Sequence, residues 1–226
     1  MNNREVCVTF KHTILVRPEL ECDSLAIEHI LVDLDGVIRL WEKDTSDIEK
    51  KWSLPVNAIA KVAFSQPLLN PAIRGKVSDE IWRENIKIQL SKIYPAADVE
   101  RAVNDWSEYA GVIDNDVLAL LGSYENHKMS LVTNATSRLI MDLSMLGIVD
   151  KFSTIFNTSD IGYIKPEKTL FEYILKSLEL KPDAAVFIDD TKENCDAARE
   201  LGIKDHHYTN IDSLEKFLAT VLLTSS

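Results

Sequence analysis

The chain has 226 residues, a hydrophobic fraction of 46% and a formal charge of −11. That is enough apolar material for one large domain or for a core plus an insert, and the negative surface excludes nucleic acid as a general partner, because phosphate backbones would be repelled. No apolar run is long enough to span a bilayer and no signal-peptide core opens the chain; Cys7, Cys22 and Cys195 are odd in number and widely spaced, so reduced thiols in a cytoplasmic protein with no membrane partner are expected.

The first 28 residues form an extra N-terminal segment in which Val6, Val8 and Phe10 alternate, which predicts an added edge strand or a cover over another surface. Residues 29–33 read as a buried strand running into Asp33-Leu34-Asp35-Gly36. From 44 to 111 there is no convincing strand alternation, and helices are predicted over 56–64, 78–94 and 98–109. Ser78 reads as an N-cap and Pro55 suits a first helical turn, whereas Pro67, Pro71 and Gly75 punctuate a loop. Trp52, Trp82 and Trp106 are expected in the core of this block, and Trp41 is a candidate to line a crevice. Arg74 and Lys76 read as solvated charge or as contacts to a second anionic group.

Further strands are predicted at 129–133, 154–157, 185–189 and 206–209, separated by helices at 138–146, 169–180 and 192–201 and followed by an amphipathic helix at 211–223. Strands alternating with helices of this length specify a parallel sheet with helices on both faces. The expected fold is therefore α/β: a Rossmann-like parallel sheet flanked by helices, built from 1–43 and 112–226, with an all-helical cap inserted at 44–111.

In a parallel sheet all strand C-termini share one edge, where open α/β sheets bind ligands. The first strand brings Asp33 and Asp35 there, the second Thr133 and Asn134, the third is followed by Lys165-Pro166, and the fourth brings Asp189 and Asp190, with Asn194 one turn on. Two carboxylates this close repel unless a cation or a shared proton intervenes. Alone, Asp33 and Asp35 are ambiguous between a metal loop and a catalytic pair. Thr133 and Asn134 also suit a helix cap, Asp189 and Asp190 a helix N-terminus, and Asn194 a cap. Carboxylate oxygens without thiolate or imidazole suit Mg²⁺, and a lysine and a threonine hydroxyl suit phosphate oxygens. His206 and His207 point to opposite strand faces and cannot chelate one ion together. Cys195 reads as a small packing residue. No P-loop, serine-hydrolase elbow or zinc-ligand spacing occurs.

Asp33-Leu-Asp-Gly-Val37, Thr133-Asn134, Lys165-Pro166 and Asp189-Asp190 resemble, in order and spacing, the four motifs of the haloacid dehalogenase (HAD) superfamily, over roughly residues 28–215. The resemblance implies Asp33 as nucleophile and Asp35 as general acid and base. It implies that Thr133 and Asn134 bind the phosphoryl group or substrate, and that Lys165 stabilises both nucleophile and transferring phosphoryl. It implies Mg²⁺ held by Asp33, the backbone carbonyl of Asp35, and Asp190, with Asp189 and Asn194 in support. The expected activity is hydrolysis of a small phosphorylated metabolite through an aspartyl-phosphate, by a monomer or homodimer. The stretch after the first motif looks like phosphatases similar to the N-terminal domain of soluble epoxide hydrolase and to sugar-phosphate phosphatases with a small helical cap. Dehalogenase members lack an aspartate at the position of Asp35, which favours phosphoryl transfer. A phosphomutase or a phosphonatase on the same core is the enzymatic alternative, and a non-catalytic phosphate-ester-binding protein the alternative of another class.

Overall fold

A computed structural model describes residues 27–41 and 46–222. The strand expected around Val6 to Phe10 lies outside the described residues. In chain order the elements are β1 (His29–Val32), β2 (Arg39–Leu40), α1 (Ser46–Lys51), α2 (Ala58–Ala63), α3 (Gln66–Ile73), α4 (Asp79–Ile93), α5 (Val99–Ser107), β3 (Val112–Ile113), α6 (Asn115–Gly122), β4 (Lys128–Thr133), α7 (Leu139–Leu146), β5 (Thr154–Asn157), α8 (Thr158–Ile161), α9 (Lys168–Leu178), β6 (Ala185–Asp189), α10 (Lys192–Arg199), β7 (Lys204–His207) and α11 (Ile211–Leu222).

The main sheet has five parallel strands in the order β5-β4-β1-β6-β7. β1 is central and buried on both faces, which is why it reads as an unbroken apolar run. Its alternation feeds two cores. Ile30 and Val32 pack with Leu131, Val186 and Ile188 against α6, α7 and α11. Leu31 packs on the other face with Val132 and Phe187 against α9 and α10. The chain winds outward from β1 to β4 and β5, then returns to place β6 and β7 on the opposite side. The strand order therefore reverses at β1, and the ligand crevice of such a sheet is expected at the ends of β1, β4 and β6.

The antiparallel pair β2 and β3 (Arg39↔Ile113, Leu40↔Val112) marks where the helical insert leaves the core and returns. Within the insert, Trp82, Ile86 and Leu90 recur four residues apart on α4 and pack with Ile59 and Val103 in a core of their own. Ser78 caps α4 by accepting a hydrogen bond from the Ile81 amide, as the sequence predicts.

Several elements depart from the sequence expectation. The loop expected around Pro67 and Pro71 is the helix α3. Pro67 sits in its first turn, where no amide is needed, and Pro71 sits inside a short helix that Arg74 and Gly75 close onto Asn70 and Ala72. Pro55 precedes α2 by a turn instead of opening it. Asp114 caps an unanticipated helix, α6, by accepting from the Asp116 and Val117 amides. The last strand begins at Lys204, two residues earlier than expected, because an edge strand has a solvent side that tolerates Lys204 and Asp205. Among the described residues no helix is long and apolar enough to cross a membrane.

Candidate active site

β1 ends at Val32, and the next five residues turn back on themselves, with the amides of Val37, Ile38 and Arg39 all donating to the Leu34 carbonyl. Gly36 sits in this turn at φ +82°, and a Cβ there would lie 2.0 Å from Asp190 Oδ2. Only glycine permits both the left-handed conformation and this approach of the β1 loop to the β6 loop.

Asp33 is buried at the end of β1. Its Oδ1 accepts from the Leu34 amide at 2.7 Å and lies 2.7 Å from Lys165 Nζ. Lys165 Nζ also donates to Asp189 Oδ2 at 2.7 Å, so one buried ammonium bridges two buried carboxylates. Asp189 is saturated: Oδ1 takes the Thr191 amide at 2.8 Å, and Asn194 Nδ2 lies 2.9 and 3.0 Å from the two oxygens. Asn194 thus lies at the site and holds Asp189. Asn134 acts in a similar way on Lys165, accepting from its amide at 2.9 Å and donating to its carbonyl at 3.1 Å. The Lys165–Pro166 bond is cis.

Burial pushes the Asp33 carboxyl up to about 7; Lys165 opposes this rise and Asp189 adds to it. Burial pulls the Lys165 ammonium down, but Asp33 and Asp189 together hold it above the ordinary lysine value. Burial, and then the charge of Asp189, raise Asp190. Asp33, Asp189 and Asp190 offer carboxylate oxygens within 4.8 Å of one another, close enough for a metal ion to be held among them. Thr133, at the end of β4, completes a 260 Å³ well with Asp33, Asp35, Asn134, Lys165, Asp190, Thr191 and Asn194. All eight residues singled out from sequence therefore meet here: seven line the well, and Asp189 lies beneath it, bonded to three of its members, Lys165, Thr191 and Asn194.

Asp35 has different surroundings. Its carboxylate takes Arg39 Nε at 2.7 Å and Nη2 at 2.9 Å, and the Trp41 indole N–H at 2.8 Å. Arg39 is buried, lies 3.6 Å from Asp142, and stacks 4.6 Å from the Trp41 ring centre. Sequence reasoning missed Arg39. Its position four residues after Asp35, across a glycine turn, is a signal that would have found it. Asp35 and Asn134 also line a second, larger chamber of 440 Å³ between the helical insert and the core. Trp41 lines that chamber, in keeping with its crevice candidacy.

Arg74 does not point at the well or into solvent. It pairs with Glu167 and donates to Asn70 Oδ1 at 2.7 Å and to the Gly162 carbonyl at 3.2 Å, tying α3 to the loop before α9. Gly75 runs against the core, where a Cβ would lie 1.9 Å from the Ser159 carbonyl oxygen. His206 stacks on Phe217 at 4.8 Å and His207 lies 2.9 Å from the Asp190 carbonyl, so the two act separately. Cys195 is buried and its thiol pushed up to about 12, chiefly by burial, which fits packing and not nucleophilic attack.

Residues 30–206 match the model of the haloacid dehalogenase-like hydrolase family. The chain belongs to that family. Among curated relatives, this haloacid dehalogenase-like hydrolase is 28% identical to the bifunctional epoxide hydrolase 2 of Rattus norvegicus, across 63% of its own length and 26% of the relative's. It is 24% identical to the drimenol cyclase drtB of Aspergillus calidoustus, across 82% of its length and 37% of the relative's. It thus spans well under half of either protein. Among solved structures it resembles a HAD family enzyme of Bacteroides thetaiotaomicron, crystallised with magnesium and inorganic phosphate, with a TM-score of 0.66 at 20% identity, over 81% of this chain and 95% of that one. That likeness shows the shared fold.

Proposed function

We propose that the protein is a phosphatase acting on a small phosphomonoester, with Asp33 as nucleophile and Asp35 as general acid and base, under a helical cap formed by residues 44–111. One observation carries the reading: the polar well around Asp33 and Lys165 and the larger chamber under the insert meet at Asp35 and Asn134. A phosphoryl group in the well and a leaving group in the chamber put the ester oxygen beside Asp35, where a proton must be delivered.

Asp33 Oδ1 is held by the Leu34 amide and Lys165, which leaves Oδ2 to attack phosphorus. As the new P–O bond forms, the ester P–O bond breaks, and Asp35 protonates the departing oxygen. The protonated Asp35 carboxyl turns from Arg39 and Trp41 to make that transfer. Water then attacks phosphorus of the aspartyl-phosphate, Asp35 takes its proton, and phosphate and free Asp33 result. Lys165 and Thr133 hold the equatorial oxygens. The cap excludes bulk water.

The donor set fits Mg²⁺. It offers carboxylates with no imidazole or thiolate, and with Lys165 charged and Asp33, Asp189 and Asp190 ionised it keeps two negative charges. Because Asp189 is saturated, Asp33 and Asp190 would hold the ion, with Asp189 and Asn194 bracing the loop. When bound, it supplies positive charge against the phosphoryl oxygens. The magnesium and phosphate of the Bacteroides thetaiotaomicron relative support this reading. A phosphonatase mechanism needs a desolvated cap lysine; among the described residues of the insert Lys50, Lys51, Lys61, Lys76 and Lys92 are exposed, and Lys87 is paired with Glu100 at 2.7 Å. The widely spaced cysteines support a cytoplasmic setting.

Asp33→Asn tests the assignment. With Mg²⁺ present, phosphate release from a phosphomonoester panel should fall by on the order of 10³ or more. Retained turnover would remove Asp33 from the mechanism.

A further inference from the structure

The chamber beside Asp35 is walled by aromatic side chains from four separate parts of the chain: Trp41, Phe64, Trp82, Trp106 and Tyr109, with Leu69 among them. Phe64, Trp82 and Trp106 form a mutual cluster with ring centres 6.2 to 6.5 Å apart, and Trp41 meets Tyr109 edge-on at 5.8 Å. Trp82 belongs to the core of the insert, so this wall is rigid. Phe64 and Trp41, by contrast, are more than half exposed. Large aromatics left in solvent around a concave mouth mark a binding surface.

The polar groups of the chamber are spent on one another. Asp79 takes Arg83, and the Thr136 hydroxyl donates to it at 2.7 Å. Arg138 Nε donates to Asp142 at 2.7 Å, and Arg39 holds Asp35. A polyol leaving group would need these groups to point at its hydroxyls, and leaving substrate hydroxyls unpaired in a buried site is costly. Two buried donors are open. Arg39 Nη1 has no hydrogen-bond partner, its nearest acid being Asp142 at 3.6 Å; Arg83 Nη1 has none either, and the Arg83 guanidinium lies 6.0 Å from the Trp82 and Trp106 ring centres. At 440 Å³ the chamber lies within the roughly 300–1,000 Å³ of small-molecule sites.

Resting on the phosphatase reading, we infer that the leaving group is a bulky, predominantly apolar alcohol, aromatic or aliphatic, with at most two acceptors, placed for Arg83 and Arg39, and that Phe64, Trp82 and Trp106 set this preference. A sugar phosphate is a poor fit to the same wall.

The test compares kcat/KM of the full chain with Mg²⁺ on 2-naphthyl phosphate and decyl phosphate against glucose 6-phosphate and glycerol 3-phosphate. The apolar pair should be favoured at least about tenfold. Phe64→Ser removes an exposed side chain, so folding is not at stake, and it should raise KM for 2-naphthyl phosphate several-fold. A second measurement needs no turnover: quenching of tryptophan fluorescence by 2-naphthol should saturate in the parent and weaken in Phe64→Ser. Equal or better turnover of the sugar phosphate, or no saturable binding of 2-naphthol, overturns the inference. No phosphate from any ester while 2-naphthol still binds overturns the phosphatase reading and leaves the apolar chamber supported.

Discussion

Lys165→Met isolates the buried charge cluster. The ammonium lies 2.7 Å from both Asp33 and Asp189, and the three side chains expose only 2%, 8% and 0% of their surface. At an effective dielectric near 20 each contact is worth about 6 kcal/mol before desolvation is counted, and removing one partner of a buried ion pair typically costs about 3–5 kcal/mol net. Methionine fills similar volume without charge, so the loss falls on the stranded carboxylates. With a slope of about 2–3 kcal/mol per molar, the urea midpoint should drop by about 1–2 M near pH 8 in chelator, where no metal ion replaces the ammonium. The pH dependence has a definite sign. Burial already pushes Asp33 up to about 7 despite the lysine. Without Lys165 it rises further, so the folded variant keeps a proton that the unfolded chain has released. Its deficit should therefore shrink as pH falls from about 8 to about 5.5. Adding Asp189→Asn should recover part of the loss, because one stranded charge is gone. A deficit below about 1 kcal/mol at both pH values, or one independent of pH, would refute the reasoning.

Three further substitutions probe separate elements. Gly36→Ala places a Cβ 2.0 Å from Asp190 Oδ2 at φ +82°, so it should cost about 1–3 kcal/mol in a denaturation series and weaken Mg²⁺ binding measured by calorimetry. His29 is buried against the Ser130 hydroxyl at 2.7 Å, and burial, with Lys128, lowers it from 6.5 to about 4. The unfolded chain binds this proton first, so stability should fall by at most about 2 kcal/mol between pH 6.5 and 5, and His29→Gln should flatten that fall in paired urea titrations. Arg74→Ala cuts the partly exposed pair with Glu167 that ties α3 to the core; about 0.5–1 kcal/mol is at stake, so a Tm decrease of about 1–4 °C is expected by calorimetry.

The core of the fold was legible because β1, β6 and the C-terminal part of β4 are buried on both faces and therefore read as short apolar runs. The site was legible for a related reason: its residues sit at the ends of those strands, so finding the strands found Asp33, Thr133 and Asp189 together. What escaped notice had no such period. α3 carries two prolines that read as breaks, although the first sits where a helix needs no amide and the second costs one bond in eight residues. Arg39 and Arg74 are single cations whose partners, Asp35 with Asp142 and Glu167, are set by the way the chain folds back. The chamber was invisible for the strongest reason: its aromatics are scattered from Trp41 to Tyr109, and two of its three tryptophans, Trp82 and Trp106, look like ordinary core until the insert is laid over Asp35.

Asp33 and Asp35 are two residues apart, yet the turn between them gives them opposite surroundings. Asp33 points down among Lys165 and its carboxylate neighbours, where burial and fixed charge govern it. Asp35 points across the junction of well and chamber, and its oxygens are held from one side by Arg39 and Trp41. Paired acids in one site can do different work only where their environments differ in this way. Trp41 makes the difference consequential, since the same ring bonds Asp35 through its indole N–H and forms part of the chamber wall. On the proposed mechanism, a leaving group that packs on Trp41 would touch a group that holds Asp35. Binding of the apolar part of a substrate and placement of the acid would then be coupled through one side chain. Trp41→Phe keeps the wall and removes the N–H bond. It should lower kcat several-fold for every ester while leaving KM for 2-naphthyl phosphate nearly unchanged; a rise in KM with kcat intact would show that Trp41 serves the wall alone.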